Sequence, residues 1–202
     1  MATKLKLSLV LGTLAIVVCT SSSVMAAELC STNTSPCTGT TYGAETHITG
    51  QLKSGTSSTL TSSITNVTCT ESRFRAAVLA VGPIRIPIVE FTTDKCHTTS
   101  GTPCTVTPVN IPWEGTGSGS GGSGTLTVES GGSGSPGDKV VCGFVINCTF
   151  TTSSATLSVT GGNPAIAKAN EITVARSGGL CPAAASWDAE YEVTQPNPLF
   201  II

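Results

Sequence analysis

Aromatic side chains make up only 4% of the 202 residues and charged ones only 11%, with two histidines in the whole chain. Each shortage removes a class of function. An outer-membrane barrel needs aromatic girdles at both interfaces, and two Trp and two Tyr do not supply them. A nucleic-acid or anionic-membrane surface needs clustered Lys and Arg. No such cluster occurs, and the ten basic residues are outnumbered by twelve acidic ones. Zinc sites are read from paired C-x-x-C or Cys/His spacings. There is no C-x-x-C, and the one Cys-rich neighbourhood with a histidine is Cys96, His97 and Cys104. No metal and no cofactor is expected. The G-x-S-x-G turn of a nucleophile elbow is absent. Long apolar runs are missing beyond residues 7–19, which are too few to cross a bilayer about 30 Å thick as a helix, so no membrane span is expected.

That short run has a different meaning. Lys4 and Lys6 precede it, a polar TSSS follows, and small residues come next. A basic segment, a brief apolar core and a small-residue cleavage site make a secretory signal peptide. We place it at residues 1–26, with cleavage after Ala26 or Ala27, and expect residues 27–202 to form a single exported domain. Loss of Lys4 and Lys6 leaves eight basic and twelve acidic side chains, a formal charge of −4.

Export decides how the cysteines are read. Cys19 leaves with the signal, and the eight that remain, an even number in an oxidising compartment, imply disulfides. Eight cysteines permit roughly a hundred pairings. Sequence proximity favours Cys30–Cys37, Cys96–Cys104 and Cys142–Cys148, which leaves Cys69–Cys181 as a long-range bridge.

Thr and Ser are abundant and helix formers sparse, which favours strands, because β-branched residues fit a pleated surface and lose rotamer freedom in a helix. Apolar alternation recurs. Ile84, Ile86 and Ile88 share one face of PIRIPIVEF, and Leu126 and Val128 share one of GTLTVES. Leu157 and Val159 in ATLSVTGG repeat the device, as do Ile172 and Val174 in NEITVARSGG. WDAEYEVTQ sets Trp187, Ala189, Tyr191 and Val193 against Asp188, Glu190 and Glu192, an acidic face that reads as a guarded sheet edge. Turn sequences GTSS, SGTPC, GGNP and SGG punctuate these runs. The expected class is all-β, a disulfide-stabilised antiparallel β-sandwich or Greek-key barrel. The Gly/Ser runs at 115–124 and 130–137 are expected as loops at hairpin tips, forming one rim. Trp113 and Glu114, beside that rim, are the candidate binding residues. Asp94, Lys95 and His97 lie close in sequence, but spacing alone shows no nucleophile, base and orienter in fixed geometry, so no catalytic residues are assigned. At the C-terminus, Leu199, Phe200, Ile201 and Ile202 are expected to close the sheet or to pair with a neighbouring molecule.

VTCTES from Val67, PCTVTPVNIPW from Pro103, GTLTV from Gly124, ATLSVTGGNPA from Ala155 and the terminal YEVTQPNPLFII together resemble a group of small secreted bacterial proteins, mainly from actinobacteria. These are Cys-containing, β-rich and of unknown function. The resemblance covers most of the chain after residue 26 and implies a shared architecture without implying an activity. The function expected first is non-enzymatic: a cell-surface or extracellular structural or adhesive component, associating with itself or with the cell envelope. A soluble extracellular protein binding a glycan or a small ligand is the alternative, and a secreted hydrolase the third.

Overall fold

The computed structural model describes residues 27–176 and 181–202; the expected signal peptide lies outside them. Sixteen strands and no helix are present among the described residues: β1 (Leu29–Cys30), β2 (His47–Leu52), β3 (Ser58–Ser62), β4 (Asn66–Ala77), β5 (Ala80–Val81), β6 (Ile84–Arg85), β7 (Ile88–Thr98), β8 (Pro103–Val109), β9 (Glu114–Ser120), β10 (Ser123–Glu129), β11 (Gly137–Cys142), β12 (Ile146–Thr151), β13 (Ser154–Thr160), β14 (Ile166–Arg176), β15 (Ala184–Gln195) and β16 (Phe200–Ile201).

The all-β, antiparallel, disulfide-stapled class is as expected, and the pairings define its connectivity. β15 pairs with β2 and β3 on one side and with β14 on the other. β4 pairs with β2 and β3 and, across from them, with β7. From β7 the ladder passes to β8 at Cys96 and His97, and to β9 through Ile88 and Trp113. It continues as β8–β11–β12–β14 at one end and β9–β10–β13–β14 at the other. The sheet therefore closes on itself. Several pairs of strands act as one interrupted stave: β2/β3, β8/β9, β10/β11 and β12/β13. With β4, β7, β14 and β15 they make an eight-stave barrel in which neighbours follow chain order, up and down. Closure removes the edges of the ring. The acidic face of β15 is thus no guarded edge: β15 is flanked on both sides, and Glu190 and Glu192 engage Lys53 and Gln51 on β2 and the turn beyond it.

The two Gly/Ser runs behave differently from the expected rim. Residues 114–120 and 123–129 are strands β9 and β10, joined only by Gly121 and Gly122, whose positive φ values of 63° and 94° suit a two-residue hairpin turn. The alternation Gly115, Gly117, Gly119 is itself a strand period, with Thr116, Ser118 and Ser120 on the opposite face. Glycine is required there for space: a Cβ on Gly115 would stand 2.2 Å from the Ile86 carbonyl oxygen, and one on Gly124 would stand 2.1 Å from that of Ser118. The second run, residues 130–136, is an excursion in the middle of the β10/β11 stave and not a hairpin tip, since β10 and β11 continue in one direction with different partners. Asn110 ties it down by donating to the Ser135 carbonyl (2.8 Å).

The disulfides lie at Cys30–Cys37, Cys69–Cys96, Cys104–Cys142 and Cys148–Cys181. The first is the expected pair, and the other three correct the expectation. Register explains why. Cys69, Cys96, Cys104 and Cys142 face one another in one rung across β4, β7, β8 and β11. Cys96 thus has two neighbours and bonds to Cys69, which leaves Cys104 for Cys142. Cys142 lies opposite Ile146, and Cys148 opposite Val140. A Cys142–Cys148 bridge would have to span a diagonal of roughly 7–8 Å, whereas Cys181 reaches Cys148 directly. Four disulfides in a chain of this size suit an oxidising, extracellular setting.

The two ends of the barrel differ. One carries the turns at 63–65, 99–102 and 143–145, where Ile64, Phe144 and Val145 are exposed. The other is closed by the terminal segments. β1 pairs with β16, Gly122 N–H donates to the Ile201 carbonyl, and Gly162 and Leu199 exchange hydrogen bonds. Leu29, Ile84, Leu199 and Ile201 are buried beneath. The apolar C-terminus therefore pairs within its own chain, but in a separate two-stranded sheet with β1 that covers this end of the barrel; it does not close the large sheet as a last strand.

Candidate functional site: the barrel lumen

Inward-facing side chains from every stave meet in the lumen, and they leave a cavity of about 90 Å³. Six of the nine aromatic residues in the chain line it: Phe74, Phe91, Trp113, Phe150, Trp187 and Tyr191. The scarcity of aromatics in the sequence thus conceals a concentration of them in one place. Phe91 is the hub, with ring centroids 5.4 Å from Trp113, 6.2 Å from Tyr191 and 6.3 Å from Trp187. Phe74 meets Tyr191 edge-to-face at 5.6 Å. These separations and tilts are those that aromatic quadrupoles favour. Leu126, Val128, Leu157, Ile172 and Val174 complete an apolar wall.

The polar tips of the aromatic residues are all satisfied in the wall. Trp113 donates its indole N–H to the Val109 carbonyl (2.8 Å), and Trp187 donates to Ser58 Oγ (2.9 Å). Ser72 donates to the Thr92 carbonyl at 2.8 Å, so its contact with Tyr191 Oη at 3.0 Å is one in which the phenol donates. Burial pushes the Tyr191 hydroxyl far above its ordinary range, with the Asp138 carboxylate adding to the effect and the Ser72 hydrogen bond opposing it.

Asp138 is the exception. It lies on β11 with Val140 and Cys142 on the inward face, in the alternating stretch GDKVVC. The residue as a whole is half-buried, but Oδ1 is sealed from solvent and no protein donor reaches it. Desolvation pushes its carboxyl up to about 7 from 3.8. It also borders a second space of about 30 Å³ lined by Ser58, Thr93 and Val106. Asp138 and Tyr191 are the only titratable side chains in the lumen wall among the described residues. An isolated carboxyl in an apolar chamber is costly to ionise without a partner.

The sequence-based candidates separate. Trp113 is in the lumen wall, 7% exposed, and not on an open rim. Glu114 is the next residue on the strand and points outward, where it pairs with Arg85 (Nη2–Oε2 2.9 Å). Adjacent residues on a strand face opposite ways, so the two never share a site. Asp94, Lys95 and His97 are all exposed, and Lys95 pairs with Glu71 across the β4–β7 ladder. His47 is exposed at the start of β2. No group of three His, Cys, Asp or Glu side chains among the described residues is placed to hold a metal. No helix among them is long and apolar enough to cross a membrane. The residue that sequence reading missed is Asp138. The signal was its place in register with Val140 and Cys142, an acid on the buried face of a strand.

Compared with protein-family models, with curated proteins and with solved structures, the chain matches none.

Proposed function

We propose that this protein is an exported, non-enzymatic binding protein that holds one small, largely apolar molecule inside its barrel. The observation that carries the reading is the convergence of six of the nine aromatic side chains on a cavity of about 90 Å³. An eight-stranded barrel has an interior just wide enough to be filled by side chains or to hold one small ligand. A single water needs roughly 10–15 Å³ by the same measure, so the space suits a molecule of about six to nine non-hydrogen atoms. Apolar walls with a few placed polar groups are the usual form of a small-molecule site. Secretion from a bacterium, and kinship with the small secreted β-rich proteins it resembles, belong to the same proposal and agree with the four disulfides. The structural or adhesive role is a second reading, favoured by Ile64, Phe144 and Val145, which stand exposed at the end that carries the turns at 63–65, 99–102 and 143–145.

Both tryptophans of the chain line the lumen, so intrinsic fluorescence reports occupancy directly. Titration with toluene is expected to give a saturable change at one molecule per chain. No change with toluene or with any other apolar molecule of comparable size would remove the binding reading. Concentration-dependent self-association that is lost in Phe144→Ser would favour the second.

A further inference from the structure

Resting on the reading of the lumen as a ligand site, we propose that its ligand is a small protonated amine on an apolar, ring-sized body, with the ammonium paired to Asp138 and the body packed against the aromatic wall.

Three observations lead there. Among the described residues, Asp138 Oδ1 is the one buried side-chain polar atom without a partner: every indole N–H and the phenol O–H of the wall are already bonded to Val109, Ser58 or Ser72, and the Thr152 hydroxyl donates to the Ser154 carbonyl. A ligand therefore meets one polar partner, and that partner is an acid. Secondly, the group needs something from the ligand. A carboxylate taken out of water without a counter-charge or hydrogen bonds is strongly disfavoured. A cation supplies both, and an ammonium brings several donors to one place. An anionic ligand would set like charges together in a low-dielectric chamber. Thirdly, the rest of the surface is the kind that cations favour. Electron-rich faces of Trp, Tyr and Phe attract an ammonium, more so when desolvated, and Phe91, Trp113, Trp187 and Tyr191 form one contiguous cluster. A neutral alcohol would gain a hydrogen bond to Asp138 but neither the charge pairing nor the ring attraction. The space restricts the body to about one six-membered ring with a short arm.

The test uses the intact disulfide-bonded protein and three ligands of nearly one shape: benzylamine, benzyl alcohol and toluene, titrated at pH 8 by tryptophan fluorescence. Benzylamine is expected to bind at least tenfold more tightly than either neutral analogue. In Asp138→Asn that preference is expected to fall to near unity while toluene affinity is retained. Toluene binding with no preference for the amine, or a preference that survives in Asp138→Asn, would overturn the amine proposal and leave the lumen reading standing. No binding by any of the three would overturn both. If Asp138→Asn does not fold, the wild-type pH profile decides. Benzylamine affinity is expected to rise between pH 6 and 8 as Asp138 ionises, while toluene affinity does not rise. Tyr191, the other titratable group of the wall, stays protonated throughout that window. Parallel profiles for the two ligands would refute the proposal.

Discussion

Replacing Asp138 with Asn removes an ionisation that the apolar lumen opposes, and the consequence has a definite sign. In the unfolded chain the carboxyl ionises near 3.8; in the folded barrel it holds its proton to about 7. Between those values the folded state binds a proton that the unfolded state has released, so stability falls as pH rises. The loss begins near pH 4, is complete a little above pH 7, and is flat beyond. At about 1.4 kcal/mol per pH unit, the full displacement from 3.8 to about 7 corresponds to at most about 4 kcal/mol. Asn cannot ionise, so its curve lacks this slope. At pH 4 the two proteins are expected to lie within about 1–3 kcal/mol, since the amide still lacks a buried partner. By pH 8 the variant is expected to have gained about 3–4 kcal/mol relative to wild type. Urea unfolding with disulfides intact, at half-unit steps from pH 4 to 8, measures both curves. The difference between them isolates Asp138 from all other carboxylates. Parallel curves would mean that Asp138 ionises normally in the folded state, and the argument for a needy acid in the lumen would fail.

Trp113→Ala is expected to cost about 3–5 kcal/mol, the range for a buried aromatic, because it empties a core position and removes the hydrogen bond to the Val109 carbonyl; a change under about 1 kcal/mol in urea unfolding would place Trp113 at the surface. A non-reducing peptide map is expected to recover Cys69–Cys96, Cys104–Cys142 and Cys148–Cys181. Replacing both Cys148 and Cys181 by Ser should lower stability by about 3–4 kcal/mol on chain-entropy grounds for a 33-residue separation. Recovery of Cys96–Cys104 would contradict the rung register. Deleting residues 196–202 uncovers Leu29 and removes buried Leu199 and Ile201, so a less stable monomer is expected in thermal unfolding. A variant of unchanged stability that fails to self-associate would instead assign the segment to a neighbouring molecule.

Much of the architecture was legible because strand periodicity is local. The alternation around Ile84, Leu126, Leu157, Val174 and Trp187 predicted the inward faces, where Tyr191 is buried and Trp187 half-buried. Glycine misled for a physical reason. Gly115, Gly117 and Gly119 alternate like any inward strand residues, but the lack of side chain that lets Ile84 and Ile86 approach also makes the run read as a loop. The disulfides were misjudged because proximity along the chain competes poorly with cross-strand register: Cys104 and Cys142 are direct neighbours only once β8 and β11 lie side by side. Ring closure depends on β14 meeting β15 while β15 meets β2 and β3, and no local signal encodes that. The lumen is the furthest from the sequence. Its six aromatic residues come from four strands and one turn, with Trp187 and Tyr191 sharing β15, and Asp138 gains meaning only from what surrounds it.

The central claim is that the aromatic lumen with its single acid is a binding chamber. A crystal structure of the protein grown at pH 8 with benzylamine tests it most directly. The account predicts one molecule inside the barrel, its ring among Phe91, Trp113, Trp187 and Tyr191 and its nitrogen within hydrogen-bonding distance of Asp138. Side chains closed over the lumen, with benzylamine only on the outer surface or absent, would contradict it.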